Sequence, residues 1–256
     1  MKTLVSGFVT AFSLYSAIPF PKPKWDGDSM KYALCFFPLI GVVNGALQIL
    51  WASFGWYWQL EPGLYAAVAV AIPLLVTGGI HVDGFVDTCD AVSSHAPPER
   101  KREILKDPHV GAFGVIFCAV LFLLQYGLWQ QLYQKPKLLA LAALGYVASR
   151  SLNGLSIAVF PCSQQSGLVH MFNSGANRRA AAGACGVLAA GSLVIGVVLS
   201  PVWGGAALVF SAGYFWYHYR FCMREFGGNS GDLAGFLLQN LELGYLILAA
   251  AGGVFA

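Results

Sequence analysis

Residues 111–132 read Gly-Ala-Phe-Gly-Val-Ile-Phe-Cys-Ala-Val-Leu-Phe-Leu-Leu-Gln-Tyr-Gly-Leu-Trp-Gln-Gln-Leu, with no charged side chain anywhere in the run. A bilayer core about 30 Å thick needs roughly 20 such residues in a helix. Working outward, comparable runs lie at about 32–57, 63–80, 138–160, 181–200, 203–222 and 235–255. An eighth, 3–19, is short and ends in Pro19-Phe20-Pro21, so it either spans or lies in the interface. Pro73 predicts a kink in the 63–80 run. Trp56, Tyr57, Trp58, Trp129 and Tyr133 crowd the ends of their runs, as interfacial belts do.

Composition agrees. The chain is 57% hydrophobic and 11% charged, against roughly 25% charged in soluble domains. So few ionic groups cannot build a water-facing surface, and the bilayer is the natural solvent. The net charge of +3 is spread in short clusters, without the basic face or stripe that nucleic-acid binding needs. No small-residue cleavage site precedes Pro21-Lys22-Pro23-Lys24-Trp25, so the first run reads as part of the mature protein. Six scattered cysteines with no CxxC spacing read as packed thiols. Glycines 183, 186, 191 and 196 fit close helix packing in lipid. The expectation is one domain over 1–256, all-α, a polytopic integral membrane helical bundle with about seven to eight transmembrane helices.

Alternating the spans puts loops 20–31, 81–110, 161–180 and 223–234 on one side. That side carries Lys22, Lys24, Lys31, Arg100, Lys101, Arg102, Lys106, Arg178, Arg179, Arg220 and Arg224, whereas the other carries Lys2, Lys135 and Lys137. The positive-inside rule makes the long-loop side cytoplasmic.

The chain has twelve acids. Six of them, Asp83, Asp87, Asp90, Glu99, Glu103 and Asp107, fall between residues 83 and 107. On a helix Asp83, Asp87 and Asp90 share one face at i, i+4 and i+7; Glu103 and Asp107 repeat the i, i+4 spacing on a second short helix. Two such charges about 6 Å apart at an effective dielectric near 20 repel by roughly 2.8 kcal/mol. A fully solvated turn tolerates this; a segment beside a membrane does so less easily. Oxygen ligands without cysteine point to a hard cation, and Mg²⁺ typically combines a few carboxylates with substrate phosphates. Arg100, Lys101, Arg102 and Lys106 either screen the acids, bind phosphate or only orient the chain. His81 is a candidate general base or a helix-end hydrogen-bonding group.

A second constellation spans Gly227-Gly228-Asn229-Ser230-Gly231-Asp232 and reaches Glu242. A glycine-rich turn before a helix offers backbone N–H groups to an anion. Ionisable residues within membrane spans are functional candidates; the plainer roles are an N-cap for Asp232 and a neighbouring-helix hydrogen bond for Glu242. Arg150, inside 138–160, either pairs with Glu242 or reaches a substrate phosphate. His170 and the pair Arg178-Arg179 read as surface groups.

These pieces resemble the cobalamin synthase family, the adenosylcobinamide-GDP ribazoletransferases. The similarity lies in Gly79-Ile80-His81-Val82-Asp83-Gly84-Phe85-Val86-Asp87-Thr88-Cys89-Asp90, continuing through Glu103-Ile104-Leu105-Lys106-Asp107 into Val110-Gly111-Ala112-Phe113-Gly114. It extends to the 227–232 turn with Gly235 and Glu242, to Ile18-Pro19-Phe20-Pro21, and to Arg150 with Ser166-Gly167-Leu168. The match runs from about 10 to 245. Ser16-Ala17 stands where the family commonly has Thr-Arg, and Ala91 where a Gly often follows the last Asp. The first departure argues against an N-terminal arginine contact; the second leaves the carboxylates untouched.

The resemblance implies attack of the α-ribazole 3′-hydroxyl, or of its 5′-phosphate form, on the cobinamide-side phosphorus of adenosylcobinamide-GDP, expelling GMP. It implies Mg²⁺ on Asp83, Asp87, Asp90 and Asp107 with Glu103 ligating or supporting, His81 as base, and phosphate or nucleotide contacts from Arg150, Gly227, Gly228, Ser230, Asp232 and Glu242. The corrinoid would lie against the membrane face of a bacterial inner-membrane protein. Association with other cobalamin-assembly enzymes or with further copies is left open. Two rivals stand beside it. A CDP-alcohol phosphotransferase would show DxxDGxxAR, whereas this chain has DGxxxDxxD without Ala-Arg. A transporter would place its ionisable groups near the midplane of repeated halves, and no repeat is visible here.

Overall fold

The computed structural model describes residues 2–21, 30–163, 169, 171–172 and 177–254. Among these, ten helices follow one another: α1 (Lys2–Tyr15), α2 (Ala33–Trp58), α3 (Pro62–Thr77), α4 (Ile80–Ser93), α5 (Pro98–Ile104), α6 (Ala112–Leu132), α7 (Pro136–Val159), α8 (Arg178–Leu199), α9 (Pro201–Phe226) and α10 (Gly231–Val254). No β-strand occurs among the described residues, only an isolated bridge between Cys162 and Asn229. Four helices open on proline (62, 98, 136, 201), where the ring's fixed φ suits a first turn and its missing N–H costs nothing.

Five helices, α2, α6, α7, α8 and α10, are long and apolar enough to cross a membrane, and six spans result if α3 and α4 are counted together. The protein is a multi-pass membrane protein, and the count sits just below the seven to eight expected. The shortfall has physical causes. Helix α1 has 14 residues and α3 has 16, both short of the bilayer's roughly 20. Helix α9 has 26 but ends in His218, Arg220, Arg224 and Glu225.

Consecutive long helices run antiparallel. At the far end Trp56 Nε1 donates to the Tyr133 carbonyl at 2.6 Å, and Lys135 Nζ meets the Gly253 carbonyl. At the near end Ala17 N–H donates to Val76 O, Asn177 N–H to Lys31 O and Arg178 Nε to Ala158 O. The loops expected on one side of the membrane therefore do meet at one end. Helix α7 is the central post, buried along most of its length. It packs on α2 where Gly41 and Gly45 lie against the Tyr146 and Ala143 carbonyls, leaving no room for a β-carbon.

The chain turns 97° between α3 and α4. Gly78 and Gly79 make the corner with φ of +65° and +81°, the left-handed region that glycine enters without penalty. Helix α4, 14 residues long with three carboxylates, is too short to cross by itself. The segment expected as an acidic loop is thus a helix packed into the bundle mouth.

Candidate active site

Two glycines set α4 against α10. A β-carbon on Gly84 would sit 2.8 Å from the Asp232 α-carbon, and one on Gly235 would sit 2.8 Å from the His81 carbonyl oxygen. Phe85 and Phe236 stack beside this contact, centroids 5.5 Å apart. Against α6, Asp90 accepts hydrogen bonds from Gly111 N–H and Gly114 N–H, both 2.8 Å. The charge thus sits at a helix N-terminus, where the dipole favours it.

Between α4, α7 and α10 lies a cavity of about 240 Å³ lined by Tyr15, Ile80, His81, Asp83, Asn153, Ile157, Cys162, Val169, Ser230, Gly231, Asp232, Ala234 and Gly235. His81 is 5% exposed, stacked on Tyr15 and edge-on to Phe37. Burial first, and then the Arg150 cation, push its imidazole down to about 3, so the ring stays neutral. The Asp87 carboxyl is pushed up to about 6 by partial burial and then by the charges of Asp83, Asp232 and Asp90. The i, i+4, i+7 face is real, and α10 adds Asp232 to it.

The remaining acids stand apart. Glu103, 64% exposed, pairs with Arg100 at 2.6 Å. Asp107 lies beyond the end of α5, not on the helix expected to carry it with Glu103. Its carboxylate accepts from His109 N–H at 2.9 Å and meets the His109 ring at 2.8 Å, contacts that hold it below the usual range. The basic cluster fastens α5 to α9, Lys101 Nζ to Glu225 at 2.5 Å and Arg102 to the Phe226 carbonyl, while Arg102 also pairs with Glu99 within α5.

Arg150 and Glu242 form a buried ion pair with Ser149 beside it, and neither lines the cavity. This is the structural alternative weighed in the sequence: an arginine inside an apolar bundle needs its counter-charge. The glycine turn departs from expectation too. Gly227, with φ of +73°, ends α9, and the N–H of Gly228 goes to the Cys222 carbonyl. Asn229 N–H donates to Pro161 O and Ser163 N–H to Asn229 O. The turn therefore stitches 161–163 to α10, and these N–H groups are spent internally. What faces the cavity is the start of α10, with Ser230 Oγ accepting from Leu233 N–H. Ser166-Gly167-Leu168, His170, Lys22 and Lys24 lie outside the described residues.

Sequence reading missed Tyr15 and Asn153, both cavity-lining. Asn153 follows Arg150 by three positions on an otherwise apolar span, a spacing that could have drawn attention to it.

Do these residues suit a divalent cation? Among the described residues no three His, Cys, Asp or Glu side chains converge as a ready-made metal cage. Mg²⁺ seldom asks for one, binding through one or two carboxylates while keeping waters and phosphate oxygens. Asp83, Asp87 and Asp232 supply hard oxygen donors whose charges oppose one another, and the donor set fits.

Fold and site together define a class: a membrane-embedded helical protein with carboxylates from two helices lining a cavity at one end of the bundle. Within that class, the family profile described as Cobalamin-5-phosphate synthase matches residues 7–250, and the chain belongs to this family. Among curated relatives named adenosylcobinamide-GDP ribazoletransferase, that of Lachnoclostridium phytofermentans is 38% identical over 254 residues, covering 98% of this chain and 96% of the relative. One from Clostridium botulinum is 32% identical, covering 93% and 94%, and one from Shewanella pealeana is 30% identical, covering 96% and 95%. No solved structure matches the chain. Neither the phosphotransferase nor the transporter reading is favoured by these matches.

Proposed function

We propose that this chain is a membrane transferase joining adenosylcobinamide-GDP to α-ribazole, or to its 5′-phosphate, with release of GMP. The observation that carries the reading is that Asp83 and Asp232, from two helices, line one cavity at the first turn of α10, with Asp87 near enough for its carboxyl to feel both charges. A diphosphate placed there needs its charge neutralised before a phosphorus–oxygen bond can be exchanged.

Asp83, Asp87 and Asp232 would hold Mg²⁺, with Asp90 fixing the direction of α4 through its bonds to α6. When bound, the cation would polarise the diphosphate and stabilise the leaving phosphate. The first turn of α10 adds a partial positive charge on the same side. The acceptor hydroxyl forms the new bond to phosphorus, the bond to the GMP phosphate breaks, and the hydroxyl's proton passes to the departing GMP phosphate. His81, neutral and facing the cavity, is our candidate to accept the hydroxyl's hydrogen bond and orient its lone pair. The mouth of the bundle faces the cytoplasm of a bacterial inner membrane in this reading, on the excess of basic residues at that end.

The test is purified protein in nanodiscs given adenosylcobinamide-GDP and α-ribazole, with Mg²⁺ or with a chelator. GMP and a new corrinoid should appear together in equal amounts, only with the cation. Turnover of CDP-diacylglycerol without corrinoid turnover would reject the reading.

A further inference from the structure

The first turn of α4 has a compartment on each face. On one side, the 240 Å³ cavity is lined by Tyr15, His81 and Asn153, which are 4%, 5% and 2% exposed. Tyr15 Oη, His81 Nε2 and Asn153 Oδ1 are each buried without a hydrogen-bond partner among the described residues. Buried polar atoms are almost always satisfied, and three orphans in one cavity wall make a recognition surface short of its ligand. The set contains a hydroxyl, an amide carbonyl and a ring nitrogen, which suits a ligand carrying several hydroxyls. The cavity is also smaller than the roughly 300–1,000 Å³ typical of drug-sized ligands.

On the other side, a groove of about 770 Å³ runs between the end of α3, α4 and α6. Leu74, Val82, Val86, Val115, Ala119 and Phe122 make it apolar, and a β-carbon on Gly79 would meet nothing within 4 Å. Ile80 and Asp83 belong to both compartments. The groove therefore opens onto the carboxylate that the cavity also uses, a continuity that a molecule with a phosphate at Asp83 would exploit and a lipid chain would not.

We propose that the two substrates meet from opposite faces of α4. The hydroxyl-bearing nucleoside fills the cavity on Tyr15, His81 and Asn153, the corrinoid ring of the donor fills the groove, and the diphosphate lies over Asp83. Tyr15 and Asn153 are then specificity residues for the acceptor alone. This rests on the function proposed above.

Two measurements test it. In nanodiscs, Asn153→Leu and Tyr15→Phe should raise KM for α-ribazole up to about tenfold, the worth of one lost hydrogen bond, with KM for adenosylcobinamide-GDP unchanged. Ala119→Trp should do the reverse. Variants that raise both constants together, or cross the pattern, overturn the assignment. On the unmodified chain, alkylation of groove-lining Cys118, read by peptide mass, should be blocked by adenosylcobinamide and not by α-ribazole. Protection by neither, as from a lipid-filled groove, or by α-ribazole, also overturns it. Absence of GMP release from the unmodified enzyme would strike the function itself, whereas normal turnover with a failed pattern strikes only this arrangement.

Discussion

Gly84 of α4 and Asp232 of α10 meet backbone to backbone, so close that a β-carbon on the glycine would lie 2.8 Å from the Asp232 α-carbon. The glycine inside the acidic signature is therefore a spacer requirement. It lets a carboxylate from the last helix join those of α4.

Gly84→Ala should push the two helices apart. We expect about 1–3 kcal/mol of lost stability, the usual cost of overpacking, and a fall in GMP release larger than the stability loss explains. Gly183→Ala is the control, since a β-carbon there meets nothing within 4 Å. Thermal unfolding in detergent beside a turnover assay decides it, and equal behaviour of the two variants would refute the spacer role.

The carboxylates of α4 should separate by effect. Asp90→Ala removes the acceptor of two backbone N–H groups at the start of α6 and should cost about 0.5–2 kcal/mol, like loss of a helix cap. Asp83→Asn and Asp87→Asn should abolish turnover while leaving the melting temperature unchanged or raised, because each relieves repulsion. Retained turnover in Asp83→Asn would remove it from the cation site.

The raised Asp87 carboxyl gives a pH test. Its pKa is about 6 in the folded chain against an ordinary 3.8, so the fold holds the extra proton across that interval. Its contribution to stability is full below about pH 4 and is lost as pH rises through 6. Without divalent cations, melting temperature should decline over that window, and Asp87→Asn should flatten the decline. Added Mg²⁺ should offset it above pH 6 and bind more weakly below, where the proton competes. A profile that is the same in Asp87→Asn would rule the assignment out.

Arg150→Met alone should cost about 3–5 kcal/mol by stranding Glu242, whereas Arg150→Met combined with Glu242→Leu should recover much of that loss. If the single variant instead folds normally and shows only a raised donor KM, the arginine serves substrate and not the bundle. Chemical denaturation and steady-state kinetics on both variants distinguish these outcomes.

Much of the architecture was legible because it follows from one-dimensional patterns. The longest apolar runs became α2, α6, α7, α8 and α10, and the i, i+4, i+7 acids fell on one helix. What stayed hidden depends on partners far away in sequence. Nothing local says that Asp90 would cap α6 or that Lys101 would find Glu225. The glycine turn at 227–232 promised anion-binding N–H groups, yet Gly228 N–H is spent on the Cys222 carbonyl and Asn229 N–H on the Pro161 carbonyl.

The right-angle corner at Gly78-Gly79 also bears on biogenesis. Had α3 and α4 formed one straight rod starting at Pro62, Asp83, Asp87 and Asp90 would stand roughly 32–42 Å along it at 1.5 Å per residue, past a hydrocarbon core about 30 Å thick and away from α10. The corner turns the acidic helix back onto α10, so failed assembly of the bundle mouth, rather than failed insertion of α3, is the first consequence expected of straightening it.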